Sequence, residues 1–106
     1  MTTKTSEEMN LALYRLKLAM VDSYKEQYAN QEEKVNTYSD GIGVIKNTKY
    51  IRVVSNGAAW AFVVNVHNDK DFAYGDLLKA KTWKGPSRNF ARGNVFVEYE
   101  AKWTGI

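Results

Sequence analysis

Apolar residues in the first third of the chain recur at helical spacing. Met9, Leu13, Leu16, Met20, Tyr24 and Tyr28 follow at intervals of four, three, four, four and four, which aligns them as one stripe of a 3.6-residue helix. Tyr14 and Val21 widen that stripe. Thr5-Ser6-Glu7-Glu8 has the capping-box pattern, in which the Thr5 hydroxyl accepts from the Glu8 N–H and the Glu8 carboxylate reaches back. Glu7 and Glu8 also suit the positive end of the helix dipole. With no Gly or Pro before Gly41, the pattern predicts one helix over residues 6–34, about 43 Å long at 1.5 Å per residue. A strand of average length spans only ~17–20 Å, so such a helix either breaks near Asp22-Ser23 or carries its excess onto a second contact. Leu11 and Leu18, seven residues apart on the side opposite the stripe, favour a second contact, most simply a symmetric dimer.

After Gly41 the period changes to two. Ile42, Val44 and Lys46 alternate through a short strand, and Lys46–Lys49 read as a tight turn. Tyr50-Ile51-Arg52-Val53-Val54 is aromatic and β-branched, as strands are. Asn56-Gly57 is a strong hairpin signal, because both central residues of a type I′ turn need positive φ. The return strand, residues 59–66, carries Trp60, Phe62 and Val64 on one face and Ala61, Val63 and Val66 mostly on the other. So few polar residues interrupt it that it reads as the central strand, covered on both sides. Leu77–Ala80 begin a further strand, and residues 94–103 alternate as a half-exposed edge strand, with Glu98, Glu100 and Lys102 turned outward.

A helix followed by grouped strands predicts an α+β fold: a long N-terminal helix packed on a four- to five-stranded antiparallel sheet. The sheet is either open or curled into a small SH3-like barrel. Phe72-Ala73-Tyr74-Gly75-Asp76-Leu77-Leu78 resembles the turn-then-strand of such barrels.

Composition narrows the chemistry. A chain of 106 residues, 44% hydrophobic, is expected to form one domain with an ordinary core. No run approaches the ~18 apolar residues of a membrane span, and the polar, acidic first residues are unlike a signal peptide, so a cytoplasmic protein without membrane contact is expected. The absence of Cys excludes disulfides, thiolate metal sites and thiol catalysis, and one His makes imidazole-based metal binding improbable. No cofactor or metal is expected. Gly41-Ile42-Gly43 lacks the third glycine and following helix of a dinucleotide loop, and no Gly-x-Ser-x-Gly occurs. Asn68, Asp69, Asp71 and Asp76 have a faint calcium-loop look, but lack the glycine and the closing glutamate. His67 beside Asp69 and Asp71 is the sole candidate general base.

Charge divides the chain. Residues 1–40 sum to −2 and residues 41–106 to +5, and such segments either form two distinct surfaces or pack side by side. Half of the basic segment's ten positives fall in residues 79–93, which hold Lys79, Lys81, Lys84, Arg88 and Arg92, no acid, and Trp83 and Phe90 between them. Lys84-Gly85-Pro86-Ser87 is a turn signal, so residues 79–93 read as a long basic loop projecting from the sheet. Its cations could neutralise phosphates while Trp83 stacks on a base, and single strands fit better than duplex because nothing resembles a recognition helix. The other reading is that Trp83 and Phe90 anchor the loop to the core, its cations facing solvent or pairing with Glu98, Glu100 or a partner's acidic helix. The expectation is a non-enzymatic module that dimerises through Leu11 and Leu18. It would present Lys79, Lys81, Trp83, Lys84, Arg88 and Arg92 to an anionic partner, single-stranded nucleic acid or an acidic protein. The alternatives are a structural protein with no nucleic-acid binding, and a small enzyme using His67 and its neighbouring acids.

Overall fold

The computed structural model describes residues 4–106. Helix α1 runs Ser6–Gln27 and helix α2 Glu32–Asp40. The strands are β1 (Ile42–Lys46), β2 (Tyr50–Ser55), β3 (Ala58–Val64), β4 (Leu77–Thr82) and the two-residue β5 (Gly85–Pro86). They form one antiparallel sheet in sequence order. This is the expected α+β architecture. The sheet is open, with β1 and β5 at its edges, rather than closed into a barrel.

The capping box is present at the start of α1: Glu8 N–H donates to Thr5 Oγ1 at 3.2 Å, and Thr5 N–H to Glu8 Oε1 at 3.3 Å. The predicted helix over residues 6–34 is two helices. It passes through Asp22-Ser23 unbroken and ends at Tyr28, whose N–H donates to Tyr24 O. The reversal follows at Asn30, with φ of +72°, a left-handed conformation that Asn tolerates better than most residues. Glu32 and Glu33 then occupy the first turn of α2, where the dipole favours acids. The overlong helix is shortened by a turn, and Tyr24 of α1 stacks on Tyr38 of α2 with ring centroids 4.3 Å apart.

The predicted stripe is the core as far as Met20; Tyr24 and Tyr28 are only partly buried, and Tyr14, expected to widen the stripe, is exposed on the outer face. Met9, Leu13, Leu16 and Met20 are buried against Ile51, Val53, Ala61, Val63 and Leu77. On the other face of the sheet Phe62, Val64 and Leu78 are also buried, so β3 is central and covered on both sides. The expected alternation of β3 fails at one residue. Val53 pairs with Ala61 but Val54 with Ala59, which leaves Trp60 as the extra residue of a β-bulge. The bulge turns Trp60 to the helix side beside Ala61, away from Phe62 and Val64. At the β2–β3 turn Asn56 and Gly57 have φ of +52° and +81°, as a type I′ turn requires.

The basic segment is not a long loop. Residues 77–86 form the β4–β5 hairpin, which extends the sheet; residues 87–92 are irregular. Nor do residues 94–103 form a strand. Asn94 Oδ1 accepts from Phe96 N–H at 2.8 Å, while its Nδ2 donates to Tyr74 O and Asp76 Oδ1. That side chain closes a turn where the alternation called for extension. The chain doubles back through a Gly93–Tyr99 bridge, an approach so close that a Cβ on Gly93 would lie 2.7 Å from Glu98 O. The segment then crosses the junction of helices and sheet. There Trp60 Nε1 donates to Lys102 O, and Trp103 N–H to Ser23 Oγ, each at 3.0 Å.

Candidate anion-binding cleft

Strand β4 carries two apolar residues into the core and then two cations to solvent. Leu77 and Leu78 enter opposite faces, while Lys79 and Lys81 are exposed. Lys79 pairs in register with Ala61, so it lies on the helix side of the sheet, beyond the ground that the helices cover. Here a wide cleft opens, with a volume of about 1390 Å³. Trp60, Tyr38 and Trp103 contribute aromatic surface, and Lys34, Lys79, Arg92 and Lys102 contribute cations. Glu33 and Glu100 lie on the same walls, and Glu100 approaches Lys102 at 3.5 Å. Lys79, Lys81, Lys84 and Arg92 form no ion pair among the described residues. The guanidinium of Arg92 lies 4.4 Å from the centroid of the Phe90 ring.

The cleft is framed by an aromatic cluster. Trp103 meets Tyr24, Tyr28 and Tyr38 edge-on, with centroids 5.3, 5.9 and 6.5 Å away. The Tyr38 hydroxyl is buried with no hydrogen-bond partner among the described residues, and burial pushes its pKa above the ordinary phenol value. Composition alone could flag these tyrosines, but it could not place them beside Lys79 and Arg92, because the turn at Asn30 and the returning residues 99–106 do that.

The remaining predicted residues lie elsewhere. Trp83, at the hairpin tip, is 45% exposed. Arg52 stacks over its ring at 4.5 Å and donates from Nε to Trp83 O at 2.8 Å. Phe90 is exposed as well, so neither aromatic is an inward anchor. Arg88 is turned back onto the molecule. It donates to Asp69 at 2.9 Å, to Asp71 at 3.4 Å and to the Tyr50 hydroxyl, and covers the Phe72 ring. The Asp69 side chain is only 3% exposed and also accepts from the N–H groups of Asp71 and Phe72. Arg88, helped by those N–H groups, holds the Asp69 carboxyl well below the usual carboxylate range, and Asp69 in turn raises Arg88. This cation is committed to fold.

His67 is exposed, stacks on Tyr74 at 3.9 Å, and does not line the cleft. Asp69, the acid beside it in sequence, is engaged by Arg88. Asp76 accepts from Ala73 N–H at 2.9 Å and from Asn94, closing its own turn, as an aspartate after a turn glycine commonly does. Among the described residues no group of three or more His, Asp or Glu is placed to hold a metal ion, and no helix is long and apolar enough to cross a membrane. No family model, curated protein or solved structure shows significant similarity to this chain.

Proposed function

We propose that this protein is a non-enzymatic binding module that takes a single-stranded nucleic acid along the cleft beside β4 and self-associates through α1. The nucleic-acid reading is carried by one observation: exposed cations without ion pairs, Lys79 and Arg92, share an open cleft with Trp60 and Trp103. Single strands present phosphates and stackable base faces together, and proteins that hold them combine a basic groove with aromatic platforms. Lys81 and Lys84 extend the basic surface along the hairpin. Relative to the expectation from sequence, the proposal moves the centre of binding from Trp83 and Arg88 to Lys79 and Arg92, because Arg88 is neutralised by Asp69.

Fluorescence anisotropy with a labelled single-stranded oligonucleotide tests the reading. Binding at low ionic strength should weaken as salt rises. Lys79→Ala and Arg92→Ala should each lower the slope of log K against log salt by about 0.7, the value for one phosphate contact on a single strand. An unaltered slope in both variants, or no binding at low salt, refutes it. The self-association half rests on the exposure of large apolar side chains on α1, with Leu11, Tyr14 and Leu18 at 51%, 59% and 44%.

A further inference from the structure

Helix α1 buries one face in the core and leaves a second apolar stripe outside. Along that outer face lie Glu7, Leu11, Tyr14, Leu18 and Lys25, at intervals of four, three, four and seven. These are the a and d positions of a heptad. Val21 fills the omitted position and turns inward, buried with the core. The outer stripe runs the length of the helix and ends in opposite charges. Neither Glu7 nor Lys25 has an ion-pair partner among the described residues. Beside the stripe the apolar surface continues into a groove of about 230 Å³ between α1 and β1, lined by Leu13, Tyr14, Ile42 and Val44. Val44 is exposed on the helix side of this edge strand.

We infer that two copies of this chain pair antiparallel through the outer face of α1, with Glu7 of each opposite Lys25 of the other. The inference rests on the self-association half of the proposed function and specifies its geometry. The numbering of the stripe carries the argument. An antiparallel twofold midway between Tyr14 and Leu18 sets Tyr14 against the partner's Leu18. The same axis sets Glu7 against the partner's Lys25, while Leu11 lies over the partner's backbone at the inward-turned Val21, so one register joins the central Tyr14–Leu18 contacts and the terminal charges. A parallel pair would stack Glu7 on Glu7 and Lys25 on Lys25, and like charges in register disfavour that arrangement. A twofold contact must be self-complementary, and the charged ends of this stripe are so in the antiparallel sense alone.

Because the chain has no Cys, introduced thiols report the pairing without background. Light scattering should give a mass near twice 12.1 kDa. Under mild oxidation Glu7→Cys alone and Lys25→Cys alone should stay uncrosslinked, while a mixture of the two should form a disulfide-linked dimer. Glu7→Lys should raise the dimer dissociation constant several-fold, and adding Lys25→Glu should restore it. Leu11→Asp with Leu18→Asp should abolish the dimer without changing the circular dichroism spectrum, since both side chains are exposed. A monomer at every concentration overturns this inference and the self-association reading together. A dimer in which Glu7→Cys cross-links to itself overturns the antiparallel pairing alone.

Discussion

Arg88 joins three separate pieces of chain. Its guanidinium spans Asp69 and Asp71 in the loop after β3 and the Tyr50 hydroxyl at the start of β2. Asp69 has a folded pKa below its unfolded value, so the pair contributes stability at any pH above the ordinary carboxylate value of ~3.9. That contribution is lost as pH falls from there toward the depressed folded value. Asp69→Asn should therefore lower the melting temperature at neutral pH, and the gap from the parent protein should close as the solution is taken below about pH 4. A gap independent of pH would show that the carboxylate charge is not what holds Arg88. This pairing was invisible in the sequence, where Arg88 stands among free cations and Asp69 beside His67. The two are 19 residues apart, and only the course of the intervening β4–β5 hairpin brings them together. The bond of Asp76, by contrast, is local: it reaches back only three residues, within a turn that its own side chain helps to form.

At the scale of the element, α1 carries two apolar stripes, one buried and one exposed. Leu16 is fully buried and Leu18 is exposed, though both are leucines two residues apart. Leu16→Ala should cost about 2–5 kcal/mol in a urea titration, as removal of buried leucine side chains does. Leu18→Ala, measured at concentrations low enough to keep the chain monomeric, should change stability by no more than ~0.5 kcal/mol. Comparable losses at both positions would contradict the assignment of faces. Periodicity revealed these faces because a helix repeats one local geometry. It failed where a single residue broke the repeat: at Asn30, which divides the helix; at Trp60, where an extra residue reverses the facing; and at Asn94, whose side chain folds the expected last strand into a turn. Asn30 followed by Glu32-Glu33 carried a signal of its own, a left-handed-tolerant residue ahead of acids at a helix start. The bulge at Trp60 had none, since it is set by the register between β2 and β3.

At the scale of the molecule, the acidic helical segment and the basic sheet segment do not neutralise each other. Each ion pair among the described residues lies within its own segment. The charge asymmetry read from the sequence survives as a property of the surface, with both segments contributing to the lining of the cleft, Glu33 and Lys34 from one and Lys79 and Arg92 from the other. What joins the segments is chiefly apolar and aromatic packing, with hydrogen bonds such as Trp103 N–H to Ser23 Oγ, and Trp103 is its hub. Trp103→Ala removes edge-on contacts to three tyrosines at once. It should cost about 2 kcal/mol or more, and a loss below ~0.5 kcal/mol would show that the cluster does not bind the helices to the sheet.

The bond from Trp103 to Ser23 closes a span of 80 residues. During synthesis α1 emerges first and the β2–β3 hairpin next, each from local sequence. The cleft between them has its far wall only when residues 99–106 follow. Closing a loop of that length carries a larger entropic cost than forming the local turns of the helix or the β2–β3 hairpin, and the Trp60–Lys102 and Trp103–Ser23 bonds are among the long-range contacts of this fold. The same residues that close this span also line the cleft, so the cleft exists only in a chain whose two ends have been brought together.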